Sequence, residues 1–524
     1  MATTTVELTR PVGPDLSEAR LDVYSSLMAR VLSLWVVLVA VATFLTVPWL
    51  RHVNAGDLTV SMTWFYHALM LPSALLFLIL CTRVFATHPW VRYVLSHSAP
   101  VAVLEGLGFL ILGYGTEHHV SSLVSFGYWI IMPLTVELFA VTVLFVGDLA
   151  VSAFWPPSGE RMQPQKAEIH WALFFAGVST LTWVVLGIAA AASVVGVSWS
   201  FWAQAQHEPT STLVSNIITS HSHGMLPSFM AGIVFLAAEA FGYSRLSGLR
   251  KQVARGGVGI MLGGIALYSG VYFVSALGSF VIPAWFPYGQ GGVNGLAMDD
   301  TFTGLVGLGA LIVAFDMVPE VRGSSQRVAG AVKARFNPAR LGVYMSYLMA
   351  AAAMFLYGYY IENDETKFGA GALPAARAVG DQVFTRAHLL LVFGSLPVIA
   401  VFLMAAELFG DASGTRESLK RLMSAIVLVG MVVATAGMGI WIFATPLHAT
   451  TWSLTSAGAI LYMAGQALIL LGAVFELFTI RTPQPVEAET AEPPKEMPPA
   501  HAAVLSSQGD GQHAERAPHG AILE

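Results

Sequence analysis

Residues 220–227 read Ser220-His221-Ser222-His223-Gly224-Met225-Leu226-Pro227 and lead straight into the apolar run Ser228–Gly242. Two imidazoles therefore stand inside a segment whose composition suits the interior of a bilayer. Ionisable side chains are costly in hydrocarbon, so an intramembrane pair is by default a pointer to function. On a regular helix, positions i and i+2 point about 200° apart, which sends His221 and His223 to different sides. The other reading is that Pro227, whose ring conflicts with the carbonyl of His223, loosens the turn and brings both rings to one ion.

The rest of the chain has the same character. Of 524 residues, 55% are hydrophobic and 11% charged, and the mean hydropathy is +0.66. Soluble domains carry roughly 25% charged residues, more than twice this share. Apolar runs of about 20 residues recur, the length that crosses about 30 Å of hydrocarbon. The expected fold is all-α and membrane-integral, with twelve transmembrane helices near 28–50, 61–85, 99–116, 126–153, 168–197, 213–243, 255–284, 301–318, 338–361, 384–409, 418–446 and 453–480. Residues 1–27 form an N-terminal segment too polar and too long for a signal peptide. Residues 481–524, rich in Pro, Ala, Glu and Gln, read as a disordered tail whose His501, His513 and His519 are solvated. Cys81, the single cysteine, falls inside a span and excludes a disulfide framework.

Basic residues set the expected orientation. With the N-terminus cytoplasmic, all but four of the 26 lysines and arginines fall on the cytoplasmic side; the exceptions are Arg51, Lys367, Arg377 and Arg386. This asymmetry follows the positive-inside rule, implies an even number of spans, and puts both termini in the cytoplasm of a cell that carries the protein in its inner or plasma membrane.

Internal repetition is the second layer. The sixth span ends Ala237-Ala238-Glu239-Ala240-Phe241-Gly242, and the tenth ends Ala405-Ala406-Glu407-Leu408-Phe409-Gly410. Each has a histidine and then a proline towards its start, His223 with Pro227 and His388 with Pro397, and the second span offers His67 with Pro72. The three histidines are 156 and 165 residues apart. Asp148, Asp316 and Glu476, at the ends of spans 4, 8 and 12, are 168 and 160 apart. Two marks with nearly one period argue for three four-helix repeats, about 28–153, 168–318 and 338–480.

Twelve helices in three four-helix arcs, with histidines near the outer ends of helices 2, 6 and 10, resemble subunit I of the haem-copper oxidase superfamily, which includes the nitric oxide reductases. The resemblance covers about residues 28–480 and is architectural more than motif-deep. It implies a haem b between His67 and His388, and a second haem, copper or non-haem iron beside His223 and His221. Arg386-Ala387-His388 stands where the family has His-x-His, so Arg386 replaces the high-spin haem ligand; a cation at that depth suits a haem propionate or equally an arginine snorkelling to the interface. Helix 7 carries Tyr268-Ser269-Gly270-Val271-Tyr272 and no His-His pair, and no Cys-x-x-Cys-His occurs for covalent haem attachment. The implied activity is electron transfer to a centre that reduces oxygen or nitric oxide. Its donor would be quinone, a soluble cytochrome or a cupredoxin, with further subunits as partners and no nucleic acid. Two rival readings are a cofactor-free secondary transporter and a non-catalytic haem sensor or assembly protein. Glu105 and Glu137, deep in their spans, are candidate proton relays, whereas Glu239, Glu407, Asp148, Asp316 and Glu476 read more simply as interfacial.

Overall fold

The computed structural model describes residues 16–46, 55–159, 161–194, 210–277, 293–316, 326–328, 331–333, 337–350, 396–409, 414–444 and 448–477. Arg386, His388 and the tail from 481 lie outside these residues, as do the side chains of His223 and Glu476.

The helices are α1 (Leu16–Thr46), α2 (Ala55–Val84), α3 (Pro89–His97), α4 (Ala99–Glu117), α5 (Ser121–Phe154), α6 (Pro164–Val194), α7 (Thr210–Ala240), α8 (Gly248–Leu277) and α9 (Val293–Asp316). They continue with α10 (338–350), α11 (Leu396–Phe409), α12 (Gly414–Ala444) and α13 (His448–Leu477). Among the described residues, six helical stretches are long and apolar enough to cross a membrane: Arg20–Val41, Trp64–Val84, Pro89–Glu117, Ser121–Phe154, Pro164–Ala189 and Ser418–Ile440. The chain is a multi-pass membrane protein whose apolar helices suit contact with a lipid bilayer. Helix is the form such segments must take, because hydrocarbon offers the backbone no outside partner. Stray hydroxyls obey the same constraint by turning back on their own helix, as Ser33 Oγ does to Ala29 O (2.8 Å) and Ser73 Oγ to Leu69 O (2.7 Å).

Burial sorts the helices into two kinds. α2 is buried along Leu75–Cys81, α7 along Leu226–Ala238, and α11 along Leu396–Ala406. Helices apolar on all sides belong in the interior, and these three touch one another at the centre. α5 is of the other kind. Its Trp129 is 81% exposed, and Phe126 and Val136 also face outward.

Three helix pairs, α4 with α5, α8 with α9 and α12 with α13, make the closest backbone approaches. A methyl group added at Gly127 would lie 3.1 Å from Gly108 O, one at Gly257 2.9 Å from Gly309 O, and one at Gly430 2.7 Å from Gly465 O. Small residues at such crossings let helices pack where no hydrophobic force between them exists.

Three features differ from the sequence expectation. The first helix starts at Leu16 instead of 28, because its polar first turns have partners. Asp22 accepts from Arg83 (3.2 Å) and Arg92 (2.7 Å), and Ser25 and Ser96 hydroxyls lie 3.0 Å apart. Residues 89–97, expected as a link, form α3, which begins on Pro89, a residue preset for a first helical turn. Gln326–Val328 and Ala331–Lys333 pair as an antiparallel hairpin in the 319–337 connection, the one pair of strands among the described residues. A segment outside hydrocarbon need not satisfy its backbone within one helix.

Candidate histidine site

α2 and α7 bring the rings of His67 and His221 close to one another. Their ring planes lie within 10° of parallel and their centroids are 6.3 Å apart. Around His67 stand Phe109 of α4 (5.0 Å), Trp64 one turn away (6.0 Å) and, against Trp64, Tyr128 of α5 (5.9 Å). The site is thus lined by aromatic rings contributed by three helices.

The protonation of His221 follows from its partner. Nδ1 lies 2.7 Å from Trp183 O, a pure acceptor, so Nδ1 carries the hydrogen and the lone pair of the neutral ring sits on Nε2. A ligating histidine is commonly fixed in this way through its other nitrogen. Gly187, one turn beyond Trp183, makes the fit possible, since a β-carbon there would fall on the imidazole. Trp183 is fully buried and lies against Gly224 of α7. Its Nε1 donates to Ser269 Oγ (3.3 Å). Ser269 and Ser228 hydroxyls both lie 2.7 Å from Ser179 Oγ, and Ser228 donates to Gly224 O (3.0 Å). With Ser269 donating to Ser179 and Ser179 to Ser228, each hydroxyl uses its one hydrogen, and α6, α7 and α8 are joined in a single chain of bonds.

Of the sequence candidates, then, the structure brings together His67 and His221. His223 lies in the same helix and its side chain is outside the described residues, as are Arg386 and His388. Among the described residues no group of three His, Cys, Asp or Glu side chains gathers as a metal site. Sequence reading missed Gly187, Ser179 and Ser228. The signal was a stripe at helical spacing, Ser179, Trp183 and Gly187 on α6, opposed by His221, Gly224 and Ser228 on α7.

The acids at the other end of the helices are taken up by partners. Asp148 accepts from His88 N (3.0 Å) and its Oδ1 lies 2.6 Å from His88 Nδ1, which secures the start of α3. Arg250 bonds the carbonyl of Asp316 (2.5 Å) and its Nε lies 3.7 Å from the carboxylate. Glu407 binds Arg340 (2.8 Å) and Lys420 (3.2 Å), with Asn337 adding a bond at 3.2 Å. Glu239 accepts from Ser244 Oγ at 2.6 Å. Glu168 accepts from Tyr243 (2.6 Å) and Arg255 (2.8 Å). In the turn between α7 and α8, burial and the Glu168 bond push the Tyr243 phenol well above its ordinary pKa. Lys251 lies over that ring at 3.5 Å. Deeper in the membrane is Glu105, fully buried on α4, whose Oε1 accepts from the Thr135 hydroxyl of α5. Glu137, its expected companion, is exposed on α5.

No protein-family model and no curated protein matches the chain.

Proposed function

We propose that the chain is a haem-binding membrane redox protein of the haem-copper oxidase type, and that His67 and His221 are the two axial ligands of one b-type haem. The carrying observation is the paired geometry of the rings. Imidazole nitrogens on opposite sides of one iron, with bonds near 2 Å, lie about 4 Å apart and place the ring centres about 6 Å apart. The observed centroid separation of 6.3 Å with near-parallel planes supports this reading. When bound, such a haem supplies a one-electron centre with both axial positions filled. His221 presents Nε2, the Trp183 carbonyl fixes the ring against rotation, and the surrounding aromatics exclude water. A second centre, holding a second haem, copper or non-haem iron beside His223 and His388 with Arg386 at a propionate, is part of the same proposal. There oxygen or nitric oxide would be reduced with electrons from quinone or a soluble cytochrome or cupredoxin.

Twelve spans in three arcs also belong to this proposal. In their favour, α2, α7 and α11, the second helix of each expected repeat, are the central ones. The third helix of each repeat carries two glycines seven residues apart, Gly108 and Gly115, Gly257 and Gly264, Gly430 and Gly437, facing its fourth helix.

The test is an absorbance spectrum of the purified protein with pyridine haemochrome analysis. A b-type haem is expected, with the sharp reduced band lost in His67→Ala and in His221→Ala and kept in His388→Ala. Loss in His388→Ala with retention in His221→Ala returns the pairing to His67 and His388. A protein that carries no haem leaves the transporter reading.

A further inference from the structure

Glu105 stands apart from every other acid described above. Its side chain is fully buried, Oε1 takes the Thr135 hydroxyl, and Oε2 has no hydrogen-bond partner among the described residues. Among the described residues no cation pairs with it; α3, which also packs on α4, carries Arg92, bound to Asp22, and His97, bound to Tyr93 O. α5 offers Thr135 and, two residues on, the exposed Glu137. α2 offers Tyr66 and His67, and the adjacent stretch of α1 offers Trp35, whose Nε1 is already committed to Ala68 O at 3.2 Å. An ionised carboxylate with one hydrogen bond and no counter-ion is not sustained in such a place; the group neutralises instead. Thr135 is also the right partner for an acid in either form, since a hydroxyl donates to a carboxylate and to a carboxyl C=O alike.

Position gives this acid its use. Phe109, one helical turn from Glu105 on α4, is the ring that stacks on His67. One turn is about 6 Å of rise, so the carboxyl lies just beyond the aromatic wall of the histidine site. We propose that Glu105 is a membrane-embedded proton-binding site, held as the neutral acid at neutral pH, that exchanges its proton with the histidine site. The exchange leaves a carboxylate held by Thr135 and delivers one proton, with no bond between heavy atoms changed. The delivery half of this inference rests on the redox reading of the site; the binding half does not.

Two measurements on the full-length protein separate the halves. In the infrared difference between wild type and Glu105→Gln at neutral pH, a protonated carboxyl C=O band that shifts in heavy water is expected. Thr135→Val should keep that band but move it, because the hydroxyl bond to Oε1 is lost. Carboxylate bands in place of the carboxyl band would overturn the site. The second measurement is proton uptake on reduction of the haem-loaded protein. Glu105→Gln should slow it by on the order of 10²-fold while the reduced spectrum stays unchanged. Unaltered uptake overturns delivery. A protein without haem disposes of the redox reading alone, because the infrared band still decides whether Glu105 holds a proton.

Discussion

The two ends of the central helices treat polar groups in opposite ways. At the end where α2 and α7 finish, the acids are closed into local networks: Asp22 with two arginines, Asp148 with His88, Glu168 with Tyr243 and Arg255, Glu407 with Arg340 and Lys420. Further in, His221 keeps a lone pair on Nε2 and Glu105 keeps an oxygen without a partner. The first arrangement uses charge to tie helices together. The second leaves one carboxyl oxygen, Glu105 Oε2, without a hydrogen-bond partner deep in its span.

The comparison breaks most sharply at Glu407. If that end is a clamp, Glu407→Ala strands Lys420 and Arg340 in a largely buried position, and removing one partner of a buried ion pair costs about 3–5 kcal/mol. Thermal unfolding in detergent should show the loss, with the haem spectrum of the folded fraction unchanged. A variant of normal stability that instead loses proton uptake would move Glu407 from the clamp to the relay.

The second prediction concerns the glycine crossings. Gly309→Leu must force α8 and α9 apart, because a β-carbon there already meets Gly257 O and the α8 backbone at Met261. Overpacking of this kind costs about 1–3 kcal/mol. Gly147→Ala on α5 is the control: nothing lies within 4 Å of the new methyl group, so it should not destabilise, and helix propensity should add up to about 1 kcal/mol. Equal gains in the two variants would mean that helix propensity, and not backbone approach, governs these positions.

These glycines show what the sequence made legible. Apolar runs disclosed the membrane class, because hydrocarbon punishes every exception. They did not disclose the start of α1, since Asp22 is tolerable only once Arg83 and Arg92 stand beside it. At the site, histidine was visible as a chemical type, and His67 was chosen by its place in the repeat. The repeat marks His67, His223 and His388 and does not single out His221. Which ring faces α2 depends on Gly187 leaving room and on the Trp183 carbonyl, both carried by α6. Glycine is too common in such helices for one to stand out. Glu105 was legible as deep, but its lone bond to Thr135 depends on how α4 crosses α5, which no periodicity within either helix reveals.

The smallest expected effect tests whether the clamp is tuned or merely satisfied. Lys251 precedes the apolar run of α8; its burial lowers the ammonium pKa below the ordinary 10.5, although Glu168 and Glu239 pull the other way. Its nitrogen is 3.9 Å from Glu168 Oε2 and faces the Tyr243 ring. A lysine whose folded pKa is lowered binds fewer protons in the folded than in the unfolded state. Stability contributed by this residue therefore rises with pH between the lowered value and 10.5, and is flat below that window. Unfolding midpoints of wild type and Lys251→Met, measured side by side from neutral pH to about pH 10.5, should show the gap between them change in that direction only at the alkaline end. Methionine keeps the length of the stem and removes the charge, so it should do no harm at neutral pH if burial dominates. A clear loss at neutral pH would show that the attraction of Glu168 and Glu239 outweighs burial, and would make Lys251 as much a part of the clamp as Lys420.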